Sequence, residues 1–318
     1  MSGHGFTSTF AAQLEEYLAF KVNMGFYGSS RAWYLKKFDA YCAEHGRALF
    51  DQGTVEGWVT EQLERSGHYR SWMSYIRDFG RWLQVHGDKS AYVLSDQWKA
   101  RSVPSQPYLM TGREIEAFFS AAAALSARSP WRWQAVAFFT LMHSCGTRTG
   151  ELRALLTEQV DLHDGHLDIV WSKGNRSRRL PLTGEVVEVL AACEQASSQH
   201  FGRCRQRFFV SAAGSQVTAS AVGTTFNRIW DQAGLARPIT GQQPRPYDFR
   251  HHFAYANIER WMIQGRDVTA VLPYLSRYMG HATLESTFYY VHTSPDFMAA
   301  YAQITRRSES LLPEVGFE

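Results

Sequence analysis

The chain has 318 residues, a formal net charge of +3, and 45% hydrophobic against 20% charged residues. This length allows two domains that each bury a core, and the composition excludes an intrinsically disordered protein. Four cysteines without metal-type spacing indicate reduced thiols. There is no signal peptide pattern and no apolar run long enough to cross a bilayer, so we expect a cytoplasmic protein with no membrane contact.

Residues 1–100 are predicted to form a small bundle of four helices. Apolar residues, among them Trp33 in the second segment, recur there at helical spacing. Basic residues are interleaved with the aromatic ones, and the main examples are Lys36, Lys37, Arg70 and Arg77. Taken alone, this pattern is typical of a solvated basic face around an aromatic core.

Residues 101–110 contain two prolines and are predicted to be a linker. Thr111, with Glu114 three residues later, forms a capping-box pattern that opens a second domain at 111–318. Ser129-Pro130 predicts another helix start, and the segment from 131 to about 143 is apolar on nearly every side.

Residues 167–171 and 178–182 read as two short strands joined by a turn, and 208–210 are predicted to add an edge strand. The remaining segments are helix or loop. The predicted fold class is therefore mainly α with a small antiparallel β-sheet, arranged as a helical bundle followed by a mixed α/β domain.

Three segments carry residues suited to phosphate chemistry. In the first, Arg148 precedes a predicted helix with Thr149 as its N-cap and Glu151 in its first turn. A helix amino terminus favours an anion, so an arginine there reinforces a phosphate site. By itself, the pattern would be read as a surface arginine beside a capped helix.

The second segment is Tyr247-Asp248-Phe249-Arg250-His251, followed by His252. Asp248 is predicted to be the N-cap of a helix, which places Arg250 in a first helical turn where a phosphate is again favoured. Adjacent histidines on a helix point in different directions, so a metal site is not predicted here. No Gly-rich loop of the P-loop type is present, so ATP is not implied.

The third segment is Gly280-His281, with Tyr289-Tyr290 following it. Gly280 can end a helix in the left-handed conformation and direct His281 inward. Two arginines can hold a phosphodiester by bidentate hydrogen bonds while a tyrosine attacks it.

Together these segments resemble the tyrosine recombinase (phage integrase) family. The chain departs from the family pattern at Thr147, just before the first arginine, and at Tyr247, where the family most often has histidine. A phenol can donate a hydrogen bond but cannot act as a base near neutral pH. Either Tyr247 donates only, or His251 or His252 takes over part of the role.

The resemblance implies a role for each of seven residues. Arg148 and Arg250 would bind the scissile phosphate, and Glu151 would orient the first arginine or a neighbour. Tyr290 would attack to form a 3′-phosphotyrosyl bond, the choice over Tyr289 being made by the register of Thr287 and His281. Lys173, in the hairpin turn, would be the general acid, and His281 and Tyr247 would donate hydrogen bonds. No cofactor, metal or ATP is implied.

The resemblance also implies the partners. Double-stranded DNA recombination sites would be bound by a homotetramer on synapsed DNA, with accessory recombinases or transposase proteins in some systems. A phage or mobile element in the bacterial cytoplasm, associated with the nucleoid, would be the setting. Beside the motifs, Lys36, Lys37, Arg70, Arg77, Arg176 and Arg178 become candidate DNA contacts. Two alternatives stay open: a DNA-binding protein that has lost catalysis, and a type IB topoisomerase-like enzyme that relaxes DNA.

Overall fold

In the computed structural model, the chain divides into two compact units, Met1–Pro104 and Ser105–Glu318. The structure describes residues 5–26, 29–66, 72–98, 107–126, 129, 131–172, 176–202, 205–281, 283, 284, 286 and 287. None of the helices in these ranges combines the length and the apolar character needed to span a membrane.

The first unit is a helical bundle, as its sequence predicts. Its helices are α1 (Ala11–Asn23), α2 (Ser29–Glu44), α3 (Gln52–Ser66) and α4 (Met73–Val85), followed by a short 3-10 turn at Asp96–Trp98. Helical periodicity turns apolar side chains toward one shared core. The largest of its fully buried side chains are Tyr17, Phe38, Trp58, Trp72 and Phe79.

Trp33 does not join that core, contrary to its reading as one of the helix's apolar positions. It is 53% exposed on α2, and the ammonium group of Lys37 lies 3.9 Å from its ring centroid. This cation–π contact lets a large aromatic ring remain at the surface.

The second unit is built from seven helices and one small sheet within its described residues. The helices are α5 (Gly112–Ala123), α6 (Ala135–Cys145), α7 (Thr149–Ala154), α8 (Gly184–Phe201), α9 (Ala219–Gln232), α10 (Asp248–Ile263) and α11 (Val268–Met279). The capping box at the start of α5 is confirmed, since the Thr111 hydroxyl accepts from the Glu114 amide and the Glu114 carboxylate accepts from the Thr111 amide. Helix α6 is central to the core but begins at Ala135, because 131–134 form a turn.

The sheet is antiparallel in the order β1 (Val160–Asp161), β2 (His166–Ser172), β3 (Arg176–Pro181). The prediction of the hairpin of β2 and β3 is confirmed, but the prediction of an edge strand at 208–210 is wrong. The Gln134 side chain accepts from the Val210 amide at 2.8 Å and donates to its carbonyl at 3.0 Å. A side-chain amide therefore satisfies the backbone where a strand partner was expected, and β1 is the third strand.

Two glycines end helices beside the candidate site. Gly146 follows α6 with φ +59°, and Gly280 follows α11 with φ +67°. A Cβ on Gly146 would lie 2.5 Å from the Phe253 ring, and one on Gly280 would lie 2.9 Å from Nη1 of Arg178. Both the left-handed backbone and the close packing require glycine at these two positions. Because glycine has no side chain, the ends of α6 and α11 can approach the arginines.

Candidate active site

Arg148 is the N-cap residue of α7, where Thr149 was expected. Its backbone is extended (φ −82°, ψ 145°), and Thr149 is the first helical residue. The exposed amide of an N-cap needs an acceptor, and the Glu151 carboxylate supplies it at 2.8 Å. The carboxylate thus fixes the backbone from which the Arg148 side chain leaves the helix.

The Glu151 carboxylate is the centre of the site. It is 8% exposed and accepts four hydrogen bonds from two arginines. Arg148 donates from its backbone amide and from Nη1, the latter at 2.7 Å. Arg178, from β3, donates from Nη1 and Nη2 at 2.9 and 2.8 Å. Burial by itself would raise the pKa of Glu151, but Arg178 first and then Arg148 lower it to about 2.

Arg250 is fully buried. It lies in the first turn of α10, as predicted, and its guanidinium donates to the carbonyl of Gly146 and, from Nη2 at 2.7 Å, to that of Met279. Arg148 makes the equivalent bond, from Nη2 to the carbonyl of Gly280 at 2.7 Å. The carbonyls left without partners at the ends of α6 and α11 therefore position both arginines.

His281 follows directly and is buried, with 6% of its surface exposed. Its Nδ1 lies 2.7 Å from the hydroxyl of the buried Thr287. Burial, with the charges of Arg250, Arg148 and Arg178, lowers the pKa of His281 to about 3. The ring is thus neutral at ordinary pH and has one N–H to donate.

Around Arg250, the second segment differs from its prediction. Tyr247 is the N-cap residue of α10, and Asp248, expected there, is the first helical residue. Asp248 is fully buried and accepts from the Arg245 backbone amide at 2.7 Å; burial raises its pKa. Tyr247 is 36% exposed, and its ring meets that of His251 edge to face at 4.9 Å.

The two histidines considered as replacements for Tyr247 are both taken up in packing. Burial lowers the pKa of His251 to about 4. His252 stacks on His143 of α6 with 5.2 Å between ring centroids, and burial lowers its pKa as well. Both rings are neutral near pH 7, like that of His281.

The remaining candidates divide into three groups. Lys173, Tyr289, Tyr290 and Arg70 lie outside the described residues, and so does the side chain of Arg176. Lys36 is exposed and Lys37 is half-buried against Trp33. Arg77 is 6% exposed and donates to the carbonyls of Leu94 and Ser95 at 2.7 and 3.0 Å, so we do not retain it as a DNA contact.

Arg178 is the residue whose place sequence reasoning missed. It was expected to contact the DNA backbone, but its side chain is 8% exposed and pairs with Glu151. One signal could have found it: side chains alternate along a strand, so Arg178 shares a face with Leu180, which is fully buried. In sum, the guanidinium groups of Arg148 and Arg178 pair with one carboxylate, and both of them, together with Arg250, lie near the neutral imidazole of His281. This arrangement favours a bound anion.

Known proteins resemble this chain over most of its length. The model of the phage integrase family matches residues 109–296. The chain is 26% identical to the putative integrase/recombinase y4rB of Sinorhizobium fredii, over 95% of this chain and 99% of that protein. It is 28% identical to y4rE of the same organism, over 92% and 94%.

Among solved structures, the XerH site-specific recombinase bound to difH substrate matches with a TM-score of 0.60 at 19% identity, over 94% of this chain and 85% of that one. The Tn1549 transposon integrase in complex with circular intermediate DNA matches with a TM-score of 0.60 at 15% identity, over 92% and 99%. At these identities the two structures share the fold with this chain.

Proposed function

The chain belongs to the phage integrase family, a family of tyrosine recombinases that break and rejoin DNA, and from that premise we propose that it acts through a 3′-phosphotyrosyl intermediate at specific DNA sites. The observation that carries the proposal is the convergence of Arg148, Arg250 and His281 around the ends of α6 and α11. These groups come from distant parts of the chain and are all hydrogen-bond donors. A phosphodiester is the DNA group that such donors bind best.

The two arginines and His281 act on the phosphate. Arg148 and Arg250 donate hydrogen bonds to its non-bridging oxygens, and their charge stabilises the extra negative charge of the transition state. His281 adds a hydrogen bond from a neutral ring. Glu151 stays ionised and holds Arg148 in place, since its pKa lies far below neutral pH.

Tyr290 is the proposed nucleophile. Its phenol oxygen attacks the phosphorus and releases its proton to solvent, while the bond from phosphorus to the 5′ oxygen breaks. Lys173 protonates that leaving oxygen, which gives a free 5′ hydroxyl and a 3′-phosphotyrosyl bond. Attack by a 5′ hydroxyl of a partner strand reverses these steps, so religation consumes no ATP.

Tyr247 is the one observation that favours a second candidate, a DNA-binding protein without catalysis. It occupies the position where the family most often has histidine, and its phenol can only donate a hydrogen bond at neutral pH. The arginine cluster favours the active enzyme, because charged donors gathered at a single place suit the stabilisation of a transition state at one phosphate. A topoisomerase-like enzyme would share the cluster and differ in lacking site specificity.

The partners follow from the same proposal. We propose that the protein acts as a homotetramer on two double-stranded DNA sites, within a mobile element or phage and in the bacterial cytoplasm. One match is a transposon integrase in complex with circular intermediate DNA, and two relatives are named putative integrases. Accessory recombinases or transposase proteins would join it in some systems, and Lys36, Lys37, Arg70 and Arg176 would contact the DNA backbone.

Covalent capture tests the proposal. Purified protein is incubated with a pool of nicked duplexes of randomised sequence, and DNA that resists detergent extraction is recovered and sequenced. We expect protein attached to 3′ ends at one enriched sequence, with Tyr290→Phe abolishing attachment and Tyr289→Phe preserving it. If the wild-type protein forms no covalent bond to DNA, the second candidate, a DNA-binding protein without catalysis, is favoured. Relaxation of plasmids that lack the enriched sequence would favour the topoisomerase.

A further inference from the structure

We propose that Arg178 is a positioning residue for DNA cleavage, which acts through Glu151 to hold Arg148 in the geometry that receives the phosphate. This inference rests on the proposed function. It assigns to Arg178 a role inside the site in place of an exposed contact with the DNA backbone.

The first argument is how the Glu151 oxygens are shared. Arg178 donates to both of them at 2.9 and 2.8 Å, while the side chain of Arg148 reaches only Oε1. A guanidinium and a carboxylate prefer two parallel hydrogen bonds. Because Arg178 already has that arrangement, Arg148 keeps one bond to Glu151 and uses Nη2 for the carbonyl of Gly280. Without Arg178, Arg148 would be drawn into the two-bond arrangement and would leave Gly280.

The second argument is the difference in exposure between the two arginines. The side chain of Arg148 is 17% exposed, against 8% for Arg178 and 3% for Glu151. Arg148 is therefore the member of this trio that an incoming phosphate reaches most easily. Within the described residues the Nε of Arg178 has no acceptor, so the two hydrogen bonds to Glu151 hold its guanidinium group.

The third argument is the connection that Arg178 makes within the fold. It stands on β3, where it pairs with Ile169 of β2, and it reaches across to the first turn of α7. In the sequence, Lys173, the proposed general acid, falls between β2 and β3. One ion pair thus ties β3 to the helix that presents the phosphate-binding arginine.

Arg178→Gln is the test variant, and Arg205→Gln is its control. Arg205 forms the same kind of pair elsewhere in the unit: its side chain is 4% exposed and donates to both carboxylate oxygens of Glu194. Both variants lose a buried arginine that faces a carboxylate. Only Arg178→Gln should displace Arg148 from the position that receives the phosphate.

The measurement is single-turnover cleavage of the enriched nicked duplex at saturating protein, together with the affinity for the intact duplex. We expect Arg178→Gln to slow cleavage by about 100-fold, the effect typical of a misplaced catalytic group, with unchanged affinity. Arg178→Lys should recover part of the rate because it keeps the charge. Arg205→Gln should cleave at the wild-type rate even where it lowers the melting temperature.

Two further readouts separate positioning from a structural role. The double variant Arg178→Gln/Glu151→Gln should be no slower than the slower single variant, because both act on the same arginine. Arg178→Gln should also lose activity as the pH falls, because removing Arg178 raises the pKa of the buried Glu151. In the wild-type protein that pKa is about 2, so the carboxylate stays ionised over the same pH range.

The inference is overturned if Arg178→Gln weakens DNA binding while cleavage at saturation is unchanged, because Arg178 would then contact DNA. It is also overturned if Arg178→Gln and Arg205→Gln slow cleavage equally, or if the two effects in the double variant multiply. A wild-type protein that forms no covalent complex rejects the proposed function itself. A wild-type protein that cleaves, beside an Arg178→Gln variant that cleaves equally well, rejects only the role of Arg178.

Discussion

Arg250 of α10 donates from Nη2 to the carbonyl oxygen of Met279, the last residue of α11, at 2.7 Å. Its other terminal nitrogen donates to Gly146 at the end of α6. One buried guanidinium thus joins three helices, and the same group is the proposed second phosphate ligand. Structural and catalytic demands therefore meet in a single side chain.

Arg250→Ala should consequently damage both stability and activity. Two hydrogen bonds from a buried charged group are lost and two carbonyls are left without their donor, so we expect the free energy of unfolding to fall by about 3 kcal/mol or more. Arg250→Lys keeps the charge but reaches fewer acceptors, and should lose less. Urea denaturation measures the free energy of unfolding of both variants. An Arg250→Ala protein as stable as the wild type would contradict the role given to these bonds.

Gly280→Ala separates crowding from backbone strain when it is compared with Gly234→Ala. Both glycines have φ +67°, but a Cβ on Gly280 would lie 2.9 Å from Arg178, whereas Gly234 has nothing within 4 Å. We expect Gly234→Ala to cost about 1 kcal/mol from strain alone, with normal cleavage. Gly280→Ala should cost more and should slow cleavage, because the added methyl group displaces Arg178 and crowds Arg148.

Thermal denaturation and single-turnover cleavage of both glycine variants check this prediction. Equal losses of stability, with cleavage intact in both proteins, would mean that the contact between Gly280 and Arg178 carries no weight.

Acid should destabilise the protein through its neutral buried histidines. The pKa of His281 falls from its ordinary value of 6.5 to about 3 in the folded protein, so between these values the unfolded chain binds more protons than the folded one. Stability should therefore fall as the pH drops below 6.5, and the contribution of His281 to it should be fully lost near pH 3. Glu151 contributes only lower down, below its ordinary pKa of 4.5.

The comparison of wild type with His281→Gln isolates that effect between pH 6.5 and 5. We expect a shallower loss of unfolding free energy in the variant, because one of the histidines that resist protonation is gone. His143 and His251 also have a pKa lowered to about 4, so some acid sensitivity should remain. Identical slopes in the two proteins would show that His281 does not titrate as its surroundings indicate.

In the first unit, substitution of Lys36 should affect DNA binding, whereas substitution of Arg77 should affect stability. Lys36 is exposed on α2, so Lys36→Ala should weaken DNA binding at every sequence and lower the slope of log affinity against log salt by about one, as expected for one lost phosphate contact. Arg77 holds the carbonyls of Leu94 and Ser95, so Arg77→Ala should lower the melting temperature instead. Fluorescence titration at several salt concentrations, with a melting curve for each variant, distinguishes the two, and an unchanged salt slope in Lys36→Ala would remove Lys36 from the proposed DNA contacts.

Much of the fold could be read from local patterns. The bundle of α1 to α4, the capping box at Thr111 and the β2–β3 hairpin are set by periodicity, cap chemistry and turn signals within a few residues of each other. Arg250 in a first helical turn was predictable for the same reason. The N-caps at Arg148 and Tyr247 were each predicted one residue too late. The Glu151 carboxylate accepts from the Arg148 amide, and the Asp248 carboxylate accepts from the amide of Arg245, ahead of the helix.

What local patterns do not reach is the pairing of charges between distant segments. Glu151 and Arg178 stand 27 positions apart. Alternation with Leu180 along the strand indicates that Arg178 faces inward, but it does not identify Glu151 as the partner. Arg77 was read as a surface cation for the same reason, although backbone carbonyls 17 and 18 positions away take its hydrogen bonds. The sequence alone identified the family motifs and the residue types suited to phosphate chemistry. Packing assigned each arginine its partner, because burying a guanidinium stabilises the fold only where the folded chain places an acceptor against it.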